Sequence, residues 1–411
     1  MKEILSNILL NIKPTKEQEK EVFSRVNAVL KKIRIKNADA ILGGSGIKGT
    51  WLKNAHDADI FVCFDYKIYK ERNNEISGIL GKYLKKKFSN VIKIHGSRDY
   101  FQLKKERFTF EIIPILKIVK AEQAINITDV SPLHAKWVNK HKNLRDEMRL
   151  LKQFCKASEV YGAESYIKGL SGYVCEILTV YYGSFLKVIE NASKWKEGTI
   201  IDIEKYYTKK NVLAEVNSSK LQSPLIVIDP VQEDRNAAAA LSTEKFEILR
   251  KKAKEFLKKP SETFFEKKVF LIEKIRDKAK NQNLIILNIE VLKGKHDVIG
   301  CKLIKSLEYI KNCLVRHNFE IIEYGWNWDK TATFYFILPK KELSKKIVHP
   351  GPPLKAKEHV KIFKNKYKKT YTEKGIIKTL IVRKYTKAID LVKDAIKDKD
   401  ITNRLKKIEV V

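Results

Sequence analysis

The chain has 411 residues, of which 44% are hydrophobic, with 83 basic and 49 acidic side chains. Ordinary apolar content over this length predicts a globular protein of two to four domains. No segment approaches the roughly 18 consecutive apolar residues of a membrane helix, and five cysteines without paired spacing argue against a disulfide framework or a zinc site. We therefore expect a soluble, cytoplasmic protein with no membrane contact, in which Cys63 and Cys175 are buried as small apolar side chains.

The formal net charge is +34, far from that of an ordinary protein. Such a charge attracts polyanions through electrostatic steering and counterion release, which favours nucleic acid as a partner. The competing explanation is a lysine-rich surface that reflects genome composition or solubility, because lysines greatly outnumber arginines.

The first third of the chain predicts an α/β domain. Thr15 and Gln18 have capping-box spacing, which predicts a helix running from there past Leu30. Alternating apolar residues and turn signals then predict four strands and a helix. They are strands over Ala38–Leu42 and Asp59–Phe64, a helix from about Glu71 to Lys87, and strands over Val91–His95 and Phe108–Ile115.

A turn of small residues, Gly43-Gly44-Ser45-Gly46, follows the first of these strands. Its glycines allow close backbone approach, Ser45 supplies a hydroxyl, and the N–H groups at the start of a following helix suit a triphosphate. Gly-Ser turns are common, so this turn indicates a site only in combination with nearby acidic residues.

Three carboxylates are predicted to lie on neighbouring strands close to that turn. Asp57 and Asp59 project from the same side of one strand, while the apolar residues that alternate with them enter a core. Glu111 lies on the polar face of a second strand, together with Arg107 and Thr109. Close carboxylates repel unless a divalent cation lies between them, and Mg²⁺ prefers oxygen ligands, so the pattern indicates a magnesium site. The alternative is an exposed polar face paired with lysines.

The remainder of the chain predicts a helical region followed by a mixed one. From Leu133 to about Pro260 we expect helices with buried stripes at Leu150-Leu151-Phe154 and Ile177-Leu178-Val180-Tyr181. Further on, an α+β pattern predicts a helix from about Ile299 to His317 among three strands. The strands are expected over Leu284–Ile289, Phe319–Glu323 and Thr333–Ile337.

Aromatic and basic residues near the end of the chain suggest RNA contact. Tyr324, Trp326, Trp328 and Tyr335 either stack on bases or pack in the core. Residues 340–411, in which Pro350-Gly351-Pro352-Pro353 prevents a continuous helix, hold 22 Lys or Arg against 8 Asp or Glu, a net charge of +14. They either bind an RNA backbone or form a solvated amphipathic tail. The predicted domains are 1–132, an α/β head; 133–260, mainly helical; and 261–411, an α+β body with a basic tail.

Seven short motifs follow one another along the chain. They are Gly44–Lys53, Ser131–Trp137, Glu147–Lys152, Tyr161–Glu164, Gly169–Glu176, Tyr182–Phe185 and Asp229–Ala238. In this order they resemble the archaeal, class I CCA-adding enzymes, a family of tRNA nucleotidyltransferases. Beyond about Leu241 the resemblance thins, and the last third follows by analogy.

The resemblance implies a fold and a reaction. The fold is an α/β catalytic head of the nucleotidyltransferase type, followed by a mainly helical domain and a C-terminal α+β region. The reaction is the template-independent addition of C, C and A to the 3′ end of tRNA from CTP and ATP. It implies Mg²⁺ ions held by Asp57, Asp59 and Glu111, in-line attack of the RNA 3′-hydroxyl on the α-phosphate, and release of pyrophosphate.

The resemblance also implies contacts to the nucleotide. Residues that match the positions touching triphosphate or sugar are Ser45, Lys48, His134, Lys152 and Tyr161. Arg235 matches the arginine that reads the base of CTP or ATP together with RNA phosphates, a task suited to a planar fork of donors.

Three residues depart from the family's pattern. Glu111 stands where Asp is usual and moves the charge outward by a methylene, Lys48 replaces an arginine, and Ser131 replaces a threonine. Two other functions stay open at this point. A poly(A)-type terminal transferase would extend RNA with ATP alone, and an RNA-binding protein with an attenuated head would bind tRNA without incorporation.

Overall fold

The computed structural model describes residues 1–53, 55–106, 108–207, 221–267, 270–329 and 331–411. The chain separates into two compact units, residues 1–268 and 269–411. All five cysteines are free thiols, and Cys63 and Cys175 are buried as predicted. Within the described ranges, no helix is long and apolar enough to cross a bilayer.

A five-stranded sheet forms the first part of the first unit. Its strands are β1 (Ala38–Leu42), β2 (Asp57–Asp65), β3 (Val91–Ile94), β4 (Tyr100–Lys105) and β5 (Phe108–Lys117). Their spatial order is β1-β2-β5-β4-β3, in which β2 and β5 run parallel and the other neighbours antiparallel. The helices of this stretch are α1 (Lys2–Ile12), α2 (Lys16–Leu30), α3 (Gly44–Lys48), α4 (Tyr66–Tyr69) and α5 (Ile76–Lys87).

One face of this sheet is covered by α2 and α5. Helix α2 begins at the predicted capping box, in which Thr15 Oγ1 accepts from Gln18 N at 3.3 Å and Gln18 Oε1 accepts from Thr15 N at 3.0 Å. The strand residues predicted to enter the core all lie in this layer: Ile60, Val62, Phe64, Phe108, Phe110 and Ile112. The acidic side chains that alternate with them therefore point to the opposite face.

Two elements of this part differ from the prediction. The sequence pattern does not predict β4, because only Phe101 and Leu103 alternate inward before charged residues begin. The helix expected from about Glu71 begins at Ile76, since residues 71–75 form turns after the short α4.

A helical part completes the first unit. It contains α6 (Ser131–Val138), α7 (Arg145–Ala157), α8 (Gly172–Tyr182), α9 (Phe185–Ala192) and α10 (Thr243–Lys258). Phe154 lies in its core, with the rings of Phe185 and Phe256 both 5.7 Å from its own. Helix α1 also packs here through Ile8 and Ile12. In the predicted stripe on α8, Ile177 and Leu178 are buried, but Tyr181 is 43% exposed because the helix ends there at Gly183.

The helical part also contains a small sheet that the sequence pattern does not predict. It consists of β6 (Thr199–Ile201), β7 (Leu225–Asp229) and β8 (Gln232–Asn236), in that spatial order. All five residues of β7 are buried, and such a short apolar run looks the same in a strand and in a buried helix.

The second unit contains two antiparallel sheets. The first has the order β10-β11-β9-β15 and the second the order β12-β14-β13. The strands are β9 (Asn283–Glu290), β10 (Glu323–Trp328), β11 (Ala332–Leu338), β12 (Lys346–Pro353), β13 (Thr370–Glu373), β14 (Ile376–Val382) and β15 (Lys407–Val410). The helices are α11 (Ile272–Lys278), α12 (His296–Arg316), α13 (Lys357–Lys366), α14 (Ala388–Ala395) and α15 (Lys399–Thr402).

The second unit confirms the predicted helix and two of the three strands. The strand expected at Phe319–Glu323 is wrong, because Asn318 takes a left-handed φ of 67° after α12 and pairing starts only at Glu323. Trp326 and Trp328 pack against the core, whereas Tyr324 stays 38% exposed beside Lys311. The basic end is folded into sheets and helices, and its Pro-Gly-Pro-Pro segment lies inside β12 at an irregular pairing.

Candidate active site

The three predicted carboxylates lie on the open face of the five-stranded sheet. In the parallel pairing of β2 with β5, Asp59 is directly opposite Glu111 and Asp57 opposite Thr109. Residues opposite each other in register point to the same face, so the predicted grouping is borne out. Asp57 is exposed, and Asp59 and Glu111 are partly buried. Arg107, also expected on this face, lies outside the described residues.

The glycine turn packs directly against Asp59. The backbone N–H of Gly43 donates to the carbonyl oxygen of Asp59 at 2.8 Å. A Cβ placed on Gly44 would lie 1.7 Å from Asp59 Oδ2, and Gly44 has a left-handed φ of 52°. Both facts require glycine at this position. Ser45 follows in the first turn of the five-residue α3 and is partly exposed.

The crowding of acidic groups is visible in the ionisation of Asp59. Burial, together with the neighbouring Glu111 and Asp57 carboxylates, raises the pKa of Asp59 to about 7, against the opposing effect of Lys48. The folded protein therefore holds negative charges together at a cost that a bound cation would relieve.

The residues present fit a hard divalent cation by their donor chemistry. Asp57, Asp59 and Glu111 offer carboxylate oxygens on one face, which are the ligands that Mg²⁺ prefers. Within the described part of the chain, no three such side chains are already drawn together as a complete ligand cluster. Glu111 Oε1 instead accepts a hydrogen bond from Gln102 Nε2 at 2.9 Å, which ties this longer side chain towards β4.

A buried ionic network joins the head to the helical part behind these carboxylates. Lys48 Nζ donates to Glu176 Oε2 at 2.8 Å, and Lys152 Nζ donates to Glu176 Oε1 at 2.6 Å. Thr50 completes the network, since its hydroxyl donates to Glu176 Oε1 at 2.6 Å and accepts from Lys152 at 2.8 Å. The two lysines predicted to contact the triphosphate are thus held by one shared counter-ion.

Glu176 stays ionised despite its burial. Burial alone would raise the pKa of Glu176, but the Lys152 and Lys48 ammonium groups outweigh it and hold that pKa at about 2. Burial lowers the pKa of Lys152, and Glu176 opposes that effect. By formal charge, two lysines against one carboxylate sum to +1.

Tyr161 lies beside the same network. A Cβ on Gly172, the first residue of α8, would lie 2.7 Å from the Tyr161 hydroxyl and 3.4 Å from Lys152 Cε. Burial raises the pKa of this hydroxyl well above its usual range, so Tyr161 stays a neutral donor. Lys156, one turn beyond Lys152 on α7, places its Nζ 4.9 Å from the Tyr161 ring centroid.

A second buried carboxylate gathers the remaining predicted contacts. Asp229 Oδ2 pairs with Arg235 Nη1, and His134 Nε2 lies 3.1 Å from the same oxygen. The Tyr173 hydroxyl donates to Asp229 Oδ1 at 3.0 Å, and the Tyr173 ring stacks on His134 with centroids 4.1 Å apart. Burial lowers the pKa of His134, so its imidazole is neutral near pH 7.

Sequence reasoning assigned no role to the partners that hold these residues. They are Gln102, Tyr173, Glu176 and Asp229. The sequence did contain a signal for Glu176, because this acidic residue interrupts the apolar run of α8. A charged side chain at such a position requires a buried partner, and Glu176 is 1% exposed. Asp229 carried a weaker signal as the acidic end of the apolar β7.

Comparisons with known proteins identify the family of this chain. Three family models match: "Nucleotidyltransferase domain" over residues 24–116, "tRNA nucleotidyltransferase, second domain" over 146–266, and "CCA-adding enzyme, C-terminal domain" over 284–408. A CCA-adding enzyme of Methanocaldococcus jannaschii is 31% identical over 410 residues, covering 96% of this chain and 91% of the relative. The chain belongs to the CCA-adding enzyme family.

A second member of the CCA-adding enzyme family, from Nanoarchaeum equitans, is 37% identical over 317 residues, which are 77% of this chain and 76% of that relative. Membership makes the chain an enzyme of the tRNA nucleotidyltransferase class. Among solved structures, a cytoplasmic RNA terminal U-transferase superposes with a TM-score of 0.51 at 13% identity, covering 66% of this chain and 100% of that one. This likeness confirms the predicted nucleotidyltransferase fold.

We expect Gly44→Ala to lower nucleotide incorporation roughly a hundredfold while the protein stays folded. The new Cβ would displace the Asp59 carboxylate, and a shift of about 1 Å in a reacting geometry can cost that much. The matched control is Gly78→Ala on α5, where an added Cβ meets nothing within 4 Å. Steady-state rates and circular dichroism of both variants provide the check, and an unimpaired Gly44→Ala enzyme would contradict the role given to the turn.

Glu176→Gln should lower the free energy of unfolding by about 3–5 kcal/mol, because it leaves two buried ammonium groups without their counter-ion. Urea denaturation measures the change. Glu190→Gln, an exposed position on α9, should stay within about 0.5 kcal/mol of the parent. Equal stabilities for the two variants would show that the lysines do not depend on Glu176.

The raised pKa of Asp59 predicts a pH-dependent stability. Because the folded pKa is about 7 and the ordinary value 3.8, the folded state binds the extra proton between pH 4 and 7. This carboxyl therefore makes stability fall as pH rises through that window and level off above it. Asp59→Asn should remove that slope in EDTA, and Mg²⁺ should raise the parent's melting temperature more at pH 8 than at pH 6. Identical pH profiles for parent and variant would refute the assignment.

Proposed function

We propose that this enzyme adds C, C and A to the 3′ end of tRNA from CTP and ATP at a single site in its first unit. The observation that carries the proposal is the parallel register of β2 with β5, which sets Asp59 opposite Glu111 beside the glycine turn. Membership of the CCA-adding enzyme family supports the choice of tRNA as the substrate.

Mg²⁺ would be held by Asp57, Asp59 and Glu111, whose donor chemistry and mutual repulsion fit a hard cation. When bound, it supplies positive charge at the attacking and leaving oxygens of the phosphoryl transfer. The carboxylates orient the RNA 3′-hydroxyl towards the α-phosphate, and Gln102 restrains Glu111 from the side.

The triphosphate is proposed to bind against Lys48 and Lys152. The formal charges of their network with Glu176 sum to +1 in a buried setting, where a charge acts more strongly than in water. The hydroxyls of Ser45 and Tyr161 would donate hydrogen bonds to phosphate or sugar oxygens. Neutral His134, which is stacked on Tyr173, would donate to such an oxygen through a ring N–H. Arg235 would face the base.

For the domains we propose a catalytic head over 1–132, a nucleotide-binding helical domain over 133–260, and a tRNA-binding α+β body over 261–411. Helix α1 and residues 261–268 pack with the helical part, so the head proper follows α1 and the body proper follows residue 268. The basic sheets of the second unit support this last role, because a folded array of lysines contacts a phosphate backbone at lower entropic cost than a loose tail.

We expect Asp59→Ala to abolish incorporation while tRNA binding survives, because the change removes a metal ligand and no lysine. The assay supplies labelled CTP and ATP, separately and together, to tRNA lacking CCA, with and without Mg²⁺; binding is measured by filter retention. Asp39→Ala, an exposed residue on β1, is the control.

The parent enzyme should add C, C and one A and then stop. Long A tracts from ATP alone would instead indicate a poly(A)-type transferase. Tight tRNA binding without incorporation by the parent would indicate an RNA-binding protein, and full activity of Asp59→Ala would remove the metal assignment.

A further inference from the structure

The short turn between β7 and β8 carries a carboxylate with no exposed surface. Asp229 ends β7 and is 0% exposed. Its Oδ1 accepts from Val231 N at 2.9 Å and from the Tyr173 hydroxyl at 3.0 Å, so that oxygen is fixed by its own turn and by α8. Its Oδ2 faces Arg235 in β8 and also lies 3.1 Å from His134 Nε2.

Arg235 differs from its partner in exposure. Its side chain is 28% exposed, and Nη1 is engaged with Asp229 Oδ2. A guanidinium is planar, so fixing one nitrogen against a rigid acceptor restricts the plane and the direction of the remaining donors. A long arginine side chain without such an anchor samples many rotamers.

The direction of those donors matters for base selection. A guanidinium carries N–H donors and no acceptor. On the pairing edge, cytosine N3 and adenine N1 are acceptors, whereas uracil N3 and guanine N1 carry hydrogens. A donor group held towards that edge therefore favours C and A over U and G. It rejects U and G only if it is held in place, because a mobile donor would move aside from the N–H of the wrong base.

We propose that Asp229 is a specificity-determining positioning residue, which orients the Arg235 guanidinium so that the site accepts cytosine and adenine and rejects uracil and guanine. The inference rests on the proposed function, since it takes Arg235 as the group facing the base. Tyr173 connects Asp229 with the lysines proposed to bind the triphosphate. Its hydroxyl donates to Asp229, and the centroid of its ring lies 4.9 Å from Lys48 Nζ.

The test is the Asp229→Asn variant. It is assayed with CTP, UTP, ATP or GTP on two tRNA substrates, one to which C is the next nucleotide added and one to which A is the next nucleotide added. The amide oxygen can still accept from Val231 and Tyr173, while the amide nitrogen faces the guanidinium with a donor instead of an acceptor. We expect UTP use relative to CTP, and GTP use relative to ATP, to rise about tenfold or more in kcat/KM.

Two comparisons separate positioning from a general loss of structure. Asp234→Asn, an exposed position on the same strand as Arg235, should keep the parent's selectivity. In an Arg235→Ala background, Asp229→Asn should change the selectivity no further, because the group it orients is absent. A purely structural role would lower all four rates together and leave their ratios unchanged.

The outcomes are distinguishable from failure of the proposed function. A parent enzyme that adds no C, C and A refutes the proposed function itself. A selective parent with an equally selective, folded Asp229→Asn variant overturns only the inference. If Asp229→Asn does not fold, Asp229→Glu keeps the charge and displaces the guanidinium, and an unchanged selectivity ratio in that variant overturns the inference as well.

Discussion

The shared counter-ion Glu176 is the constraint on which the site depends. A carboxylate with this little exposure must be matched by cations, and here both cations arrive from other elements, Lys48 from α3 and Lys152 from α7. The sheet part and the helical part of the first unit are therefore held in one register by charge pairing as well as by apolar contact. If one part moved relative to the other, a buried charged side chain would lose its ion-pair partner.

A second carboxylate repeats this design a short distance away. Asp229 holds Arg235 as Glu176 holds the lysines, and Tyr173 touches both clusters. In each case a buried negative charge fixes the direction of a positively charged side chain. Among the residues that the structure describes, no lysine or arginine forms an ion pair with Asp57, Asp59 or Glu111. Burial, with Glu111 and Asp57 close by, raises the pKa of Asp59 to about 7.

The sequence predicted the parts of this molecule that follow from local pattern. Period-two alternation predicted which faces of β2 and β5 are buried, and hence that Asp59 and Glu111 share a face. Family motifs pointed to Lys48, Lys152 and Arg235, but not to what holds them. The partner of Lys48 lies 128 residues away, and the partners of Lys152 and Arg235, although only 24 and 6 residues away, lie on separate elements whose packing no local pattern predicts. β4 and the small sheet escaped prediction for a related reason, since short strands are defined by their partners.

Helix α1 gives the first unit an unusual chain path. It packs in the helical core, with Lys13 paired to Asp146 at 2.8 Å and Asn7 bonded to Glu262, although the whole five-stranded sheet lies between them in sequence. The stretch that contains the five-stranded sheet is thus inserted within the helical part and is joined to it at both of its ends. Helix α1 precedes the sheet in the chain, whereas its packing partners, α7 and the residues around Phe265, follow the sheet. Docking of α1 is therefore a late, long-range closure, and the five-stranded sheet can fold before the helical part is complete.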